Sequence, residues 1–501
     1  MNWKDETRNS LLTAQERLGE LLEPTIRIGV TGLARSGKTV FISAVLHNLI
    51  HDGRLPRMAA VASGQIQKAY LTPQPDPALP RFRYEEHIKN IIENRTWPKS
   101  TRRISQVRLT IEYEPSGYIA RKMGRNRIHL DFVDYPGEWL LDLSLLETSY
   151  EQWSIKTLAS SKAPLRRQFA SDWHARIHHL NINLPEDPAL IENISKAFTS
   201  YLQKVRDNEG NIALLTPGRF LMPGDLDGSP ALTFAPIEKN PETEIARNSI
   251  WAAMESRFEA YKKLIVKPFF ENHFARLDRQ IVLVDVLNAV NGGPTHLREL
   301  EDTLTQTLRA FRPGKNHWLT HLLSRRIDRV LFAATKADHL HHKDHEYLEK
   351  LLGSLIDRAR KRTEIQNINT DVVALSAIRA TREATLHYDG TELPGLMGTP
   401  EDNQIIDDQL FDGKTEFALY PGDLSSIVDS LQHRDESLAE DENINSSRVD
   451  SKPEADINKS LHQFVRFVPP PQEQNAFGDS LSLPHIRLDR TLEFLVGDIF
   501  N

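Results

Sequence analysis

Apolar positions along the chain fall into two rhythms. Ile26-Arg27-Ile28-Gly29-Val30, Ile104 to Tyr113 and Arg127 to Val133 have the spacing of strands. Gln280 to Leu287, Arg329 to Ala334 and Val372 to Leu375 are nearly continuous apolar runs rich in β-branched residues. Continuous runs of this kind are strands buried on both faces, as in parallel sheets. Helical spacing fills the intervals: Val40 to Leu46, Thr295 to Phe311 and, through the middle, roughly 143–161, 165–181, 187–207 and 242–279. Strands alternating with helices predict an α/β fold whose site lies at the strand C-termini. A polar, Gly-containing turn region between Tyr113 and Arg127 predicts an antiparallel pair, so the sheet is mixed.

Breaks in these rhythms suggest the organisation. Residues 3–23 read as a helix lying on the first domain. Pro56, Pro73, Pro75, Pro77, Pro80 and Pro98 predict a long mobile segment over 52–100, with short helices such as Glu85 to Asn94. Trp153, Trp173, Phe198, Tyr201 and Trp251 are expected to form the core of the helical middle. Phe411-Asp412-Gly413-Lys414-Thr415 reads as a hairpin with a type I′ turn, and 433–459 as an acidic, disordered segment. The expected division is an N-terminal helix (1–24), the first part of the α/β domain (25–139) and a helical insertion (140–279). The second part of the α/β domain (280–388), a small β-containing tail subdomain (389–483) and a C-terminal helix packed on the sheet (484–501) follow.

Composition narrows the class. At 501 residues, the length predicts two to four domains, or one domain with large insertions. A net charge of −7 argues against a nucleic-acid partner, and the absence of cysteine removes thiol and zinc–thiolate chemistry. Neither a signal-peptide pattern nor a run of ~18 apolar residues occurs. The expectation is a cytoplasmic protein, at most peripheral to a membrane.

Chemistry enters with Gly32-Leu33-Ala34-Arg35-Ser36-Gly37-Lys38-Thr39, followed by Val40. It reads G-x-x-x-x-G-K-[ST] between a strand and a helix, the context that gives the pattern physical meaning. The glycines let backbone N–H groups turn toward phosphate oxygens at the positive end of the new helix. Lys38 would reach the β- and γ-phosphates and the Thr39 hydroxyl would ligate Mg²⁺. At the end of the Arg127 strand, Asp134-Tyr135-Pro136-Gly137 reads D-x-x-G. Asp134 would hold Mg²⁺ through water and the Gly137 N–H would meet the γ-phosphate. Asp131, two residues inside the strand, is the alternative carboxylate.

Thr335-Lys336-Ala337-Asp338 matches [NT]-K-x-D at a later strand end. The Asp338 carboxylate can accept two hydrogen bonds from guanine N1–H and its 2-amino group; adenine lacks both donors. At ~1.5–3 kcal/mol each, their loss would cost adenine very roughly 10²–10⁴-fold in affinity. The Lys336 stem would lie over the base, and Ser376-Ala377 would bring a backbone N–H to guanine O6. The expected ligands are therefore GTP or GDP with Mg²⁺, on a P-loop NTPase G domain with a mixed, mostly parallel sheet between helices.

Gly32 to Thr39, Asp134 to Asp142, Asp278 to Asp285 and Leu331 to Asp338, with Pro217-Gly218-Arg219-Phe220, Pro223-Gly224-Asp225 and Pro484 to Asp489, resemble the YcjX-like family of bacterial P-loop proteins. The likeness covers nearly the whole chain apart from 433–459. It implies a GTP-binding and GTP-hydrolysing protein of Gram-negative bacteria, linked to envelope and phage-shock-type stress. A membrane surface and stress-response proteins are the partner classes this leaves open, as is a nucleotide-dependent dimer. The rival readings are a nucleotide-binding scaffold with negligible hydrolysis and an ATP-dependent P-loop enzyme.

Hydrolysis needs a positioned water and a positive charge at the developing phosphate charge. Glu138 follows Gly137, where small GTPases place Gln, and is a water-orienting candidate; a salt bridge or a helix N-terminal acid is its structural alternative. Arg35 lies inside the loop, which is similar to the loop of guanylate-binding proteins, where Arg acts as an internal arginine finger. Thr101 is the leading Mg²⁺ ligand from the mobile first loop, with Thr96 and Thr72 behind it. His339, His341, His342 and His345 are expected to form a solvated face rather than a metal site.

Overall fold

Seven strands form the central sheet in the order β2-β3-β4-β1-β5-β6-β7: β1 (Thr25–Gly32), β2 (Ile66–Thr72), β3 (Ser105–Tyr113), β4 (Arg127–Asp134), β5 (Arg279–Val284), β6 (Arg329–Ala334) and β7 (Asn369–Ala374). The computed structural model describes residues 23–33, 35–51, 53–99, 103–115, 126–208, 215–226, 228–240, 242–310, 327–363, 369–388, 390–406, 409–422, 424–425, 464–471 and 482–500. The expected N-terminal helix and the acidic segment at 433–459 lie outside them. Strands β4, β1, β5, β6 and β7 run parallel, while β3 pairs antiparallel with β4 and β2 with β3. The mixed α/β sheet expected from the sequence is the one observed.

Strand β2 corrects the reading of 52–100 as a mobile segment. Its sequence, IQKAYLT, buries only Ala69, so an edge position leaves almost no hydrophobic signal. Cross-strand partners hold it instead: Tyr70 Oη donates to Glu112 Oε1 at 2.9 Å, and the Thr72 and Thr110 hydroxyls lie 2.8 Å apart.

The central strands show why continuous apolar runs are needed. Ile281 and Leu283 of β5, Leu331 and Ala333 of β6 and Val373 of β7 join one apolar layer. Their neighbours Val282, Val284, Val330, Phe332 and Ala374 join the layer on the other face. The first layer holds α1 (Lys38–Ile50), which follows β1, and the C-terminal helix Leu488–Val496, through Leu488, Leu492, Leu495 and Val496.

The second layer is shared with the helices between β4 and β5, among them Tyr150–Ser161, Pro164–Ile177, Pro188–Asn208 and Ile250–Tyr261. Trp153, Trp173, Phe198, Tyr201 and Trp251 are all buried there, as the sequence suggested. Trp153 stacks on Phe258 with ring centroids 5.1 Å apart. Asp142, 2 % exposed, ties these helices together: Oδ1 accepts the Gly218 N–H at 2.7 Å and Oδ2 the Tyr261 hydroxyl at 2.5 Å.

The tail departs from expectation at 411–415. Strand Gln409–Leu410 pairs with Ile405–Ile406, whereas Phe417–Leu419 joins Thr391–Gly398 in a separate three-stranded sheet with Arg382–Tyr388. Asp412 Oδ1 accepts the N–H groups of Lys414 and Thr415, each at 2.8 Å. The turn chemistry is real, but it joins two sheets and is not a hairpin.

Burial pushes the Asp142 carboxyl up to about 6, against the hydrogen bonds of Tyr261 and Gly218 that favour its charged form. The native state therefore holds more protons than the unfolded state between about pH 4 and 6. Asp142 contributes less stability as pH rises through that window, and its cost is fully present above it. Asp142→Asn cannot titrate, so its stability relative to wild type is expected to rise between pH 4 and 7 in paired denaturation curves. A pH-independent difference contradicts this.

Candidate functional site

Five parallel strands end side by side, and the loops leaving them build the site. The first is the glycine-rich loop between β1 and α1. Gly32 and Gly37 have φ of 153° and 90°, and a Cβ on Gly32 would lie 2.4 Å from the Leu283 carbonyl oxygen. No side chain caps α1 and no acid lies in its first turn, so its positive end is left for an anion. Lys38 is 5 % exposed, and its Nζ donates to the carbonyls of Gly32 at 2.5 Å and Leu33 at 3.2 Å. Arg35 is exposed and left-handed at φ 65°, a conformation costly for a side-chain-bearing residue and frequent at functional sites. Ala34 lies outside the described residues.

The loop leaving β4 presses against this one. Asp134 ends β4 in register with Val30 and is 2 % exposed. Gly137 opens a short helix, Gly137–Leu141, and a Cβ there would lie 2.5 Å from the Gly32 carbonyl oxygen. Trp139 Nε1 donates to the Met222 carbonyl at 3.0 Å, while the Arg219 guanidinium stacks over its ring at 3.1 Å. A Cβ on Gly218 would meet the Glu138 carbonyl oxygen at 2.2 Å, so the helical insertion sits directly on this turn. Asp131 is occupied elsewhere: its two oxygens accept Arg108 Nε at 2.7 Å and Nη2 at 2.8 Å. That bidentate pair removes it as the alternative metal carboxylate.

The loops after β6 and β7 form the other end. Lys336, at φ 62°, pairs through Nζ with Asp285. Asp285 also caps the helix after β5 by accepting the Asn288 N–H at 3.2 Å. The sequence reading missed Asp285, although an Asp between a buried strand and a helix is a capping signal. Asp338 is 4 % exposed; its Oδ2 accepts the Ala380 N–H at 2.9 Å, which fixes the carboxylate plane. Ser376 and Ile486 exchange backbone hydrogen bonds of 3.1 and 2.8 Å, which hold the following Ala377 turn in place.

One cavity of about 1040 Å³ joins these parts. Its walls include Gly32, Leu33, Arg35, Ser36, Gly37, Lys38, Thr39 and Val40 at one end and Thr335, Lys336, Asp338, Ser376 and Ala377 at the other, with Gly137 between. Asp134 and Glu138 are buried off its wall, Glu138 being 5 % exposed. Thr101 lies outside the described residues, although Trp97, Pro98 and Lys99 just before it line the cavity. Thr72 is part of β2, and the Thr96 hydroxyl donates to the Asn94 carbonyl at 3.0 Å.

Phe464, Arg466 and Phe467 of the tail complete the wall, and no motif announced them. Trp97 Nε1 donates to the Phe467 carbonyl at 2.7 Å and Arg95 Nε to the Pro469 carbonyl at 3.0 Å. The Phe464 N–H meets Asn291 Oδ1 at 3.1 Å, so this strap spans the site from the first loop to the helix after β5. The histidines differ from the solvated face expected. His339, His341 and His345 are buried, and His339 packs edge-on against Phe467. His341, His342 and Glu383 lie close enough to hold a metal ion.

A profile of the YcjX-like family, DUF463, matches residues 26–500. The chain belongs to that family. It is 33 % identical over 484 residues, 94 % of this chain and 95 % of the other, to a protein of Escherichia coli (strain K12) named Ras-like GTPase YcjX. It is 29 % identical over 511 residues, 97 % and 96 % of the two chains, to the Ras-like GTPase YcjX of Shewanella oneidensis. Among the described residues no helix is long and apolar enough to cross a membrane.

The contact of Gly137 with the Gly32 carbonyl is sharp enough to test. Gly137→Ala forces the two loops apart and is expected to cost roughly 1–3 kcal/mol of stability. A melting temperature equal to wild type shows that the loops are not in contact.

Proposed function

We propose that this protein binds guanine nucleotides and hydrolyses GTP to GDP and phosphate, working as a nucleotide-dependent switch. The observation that carries this reading is the single cavity bounded by the glycine-rich loop, Gly137, Asp338 and Ser376-Ala377. The phosphates would lie against the N–H groups of the loop and the first turn of α1, with Lys38 turning from loop carbonyls to phosphate oxygens. Asp338, with Oδ2 fixed by Ala380, would accept the guanine N1–H and 2-amino donors. The Gly137 N–H, held against Gly32, would register the γ-phosphate and pass the difference to the helical insertion through Trp139 and Asp142. The relatives' name and the family resemblance support the same chemistry, and the resemblance alone suggests a role in bacterial stress.

Mg²⁺ fits the donor set. Thr39, 7 % exposed at the start of α1, and the buried Asp134 at the end of β4 offer hard oxygen ligands near the phosphate position, and Thr101 is the proposed third. When bound, the ion would neutralise charge on the β- and γ-phosphates. Arg35 lines the cavity with its side chain exposed and would fold over the phosphates as the positive charge for hydrolysis. Glu138, buried off the wall, is the weaker candidate for orienting water.

Steady-state GTP turnover tests hydrolysis, and ATP competition tests the base; negligible turnover with tight GTP binding favours a scaffold. Asp338→Asn is expected to weaken GTP binding by roughly tenfold or more and to favour xanthosine nucleotides. Unchanged GTP affinity removes the guanine assignment. A cis finger is worth ~10³–10⁵ in rate, so Arg35→Ala is expected to lower kcat by at least tenfold with binding retained. Arg35→Gly should lose the same activity yet gain about 1 kcal/mol of stability, because glycine relieves the left-handed φ. A kcat within threefold of wild type in Arg35→Ala rules out the finger.

A further inference from the structure

Behind the base loop lies a second cavity, of about 430 Å³, and its walls are strongly basic. Arg54, Arg57, Arg379, Arg487 and His485 line it, with Asp489 as the one carboxylate. Asp489 is buried and engaged with backbone, its Oδ2 accepting the Arg57 N–H at 3.0 Å. Arg487 is paired with Glu349, and Arg379 reaches Glu383 at 3.6 Å. Arg54 and Arg57 are exposed, and neither side chain has a carboxylate partner among the described residues. His485 Nε2 bonds the Arg54 carbonyl at 2.7 Å, while its Nδ1 is buried and meets no hydrogen-bond partner among those residues. In a chain of net charge −7, Arg54 and Arg57 thus leave positive charge at the rim of a concave surface.

We propose that this cavity is a second ligand site, for a small anion carrying one or two phosphate groups, and that its occupancy acts on the nucleotide cavity. Guanidinium forks match phosphate oxygens bidentately, and their weak hydration lowers the cost of burying the pair. The lining holds no Phe, Tyr or Trp, and its one ring, His485, is tied by Nε2 to the Arg54 carbonyl, so the ligand class is pyrophosphate or a phosphomonoester rather than a second nucleotide. A free anion and a phospholipid headgroup share this chemistry.

The wall and the base loop are one piece of structure. Arg379 N–H donates to the Pro484 carbonyl at 2.7 Å, and Ile486 pairs both ways with Ser376. Ser376 and Ile378 face the nucleotide cavity, while Pro484, His485 and Arg379 face the basic one. Arg54 and Arg57 follow α1, whose first turn carries Lys38 and Thr39. An anion that draws Arg54 and Arg57 toward Arg379 would therefore tighten the loop that meets the base. This coupling, unlike the binding itself, rests on the guanine-nucleotide reading.

The full chain saturated with GDP, which fills the first cavity, is titrated with pyrophosphate by calorimetry beside Arg54→Glu and Arg57→Glu. Saturable binding that weakens with salt and drops roughly tenfold or more in either variant is expected. Binding in both variants equal to that of wild type, as pyrophosphate in the glycine-rich loop would give, overturns the site. No GDP heat in any of the three proteins registers instead as failure of the guanine reading. Saturating pyrophosphate should slow release of a fluorescent GDP analogue at least twofold in wild type and not in the variants; identical release overturns the coupling. Vesicles of phosphatidic acid, beside pure phosphatidylcholine, distinguish the source. Retention that requires Arg54 and Arg57 without pyrophosphate binding assigns the site to a lipid headgroup. Absence of both, or retention indifferent to the two charge reversals without pyrophosphate binding, overturns the proposal.

Discussion

Parallel pairing of β1 with β4 on one side and β5 on the other is the constraint on which the site depends. The register sets Val30 beside Asp134 and Gly32 beside Leu283. Strands that run together and end together deliver their following loops to one edge, and β6 and β7 extend that edge to the Asp338 and Ser376 loops. The helices after β1 and β5 then start at this edge with their positive ends toward it. Register also leaves the Gly32 and Gly137 backbones too close for any Cβ, so the two loops meet on their peptide groups.

The helical insertion shares an apolar layer with one face of the sheet. Contacts at the turn after Gly137 add to this: Trp139 lies under Arg219, and Asp142 holds Gly218 and Tyr261. These are directional contacts with little room to slide. Close packing and buried hydrogen bonds therefore tie the position of Gly137 to that of the insertion. The strap at 464–469 gives the opposite end a comparable restraint, since Trp97 and Arg95 of the first loop bond to its carbonyls. Backbone acceptors thus connect the first loop to the tail, and the packing of Phe467 on His339 connects the tail to the Asp338 loop.

Pattern and structure part where a residue's partner comes from a distant segment. Strand β2 escaped notice because an edge strand that buries only Ala69 needs no apolar alternation. Asp131 stood as the alternative metal carboxylate because it lies in the same strand as Asp134, two residues further in. Only the neighbouring strand supplies Arg108, which takes both of its oxygens. The histidines at 339, 341 and 345 looked solvated because charged residues surround them in sequence, yet the strap covers His339 with Phe467.

The sequence by itself determined the α/β class, the segments that form the buried strands and the motif residues that follow them, because local periodicity and short spacings encode these. It also marked the aromatic core of the insertion, because large apolar side chains must be buried somewhere. Tertiary structure alone decided which acids face the cavity, that Asp285 holds Lys336, and that Phe464 to Phe467 close the wall. It also decided that arginines from three distant segments share one cavity. The physical reason is the same in each case: charge compensation and cavity walls are made between residues far apart in the chain, and no local spacing records such a meeting.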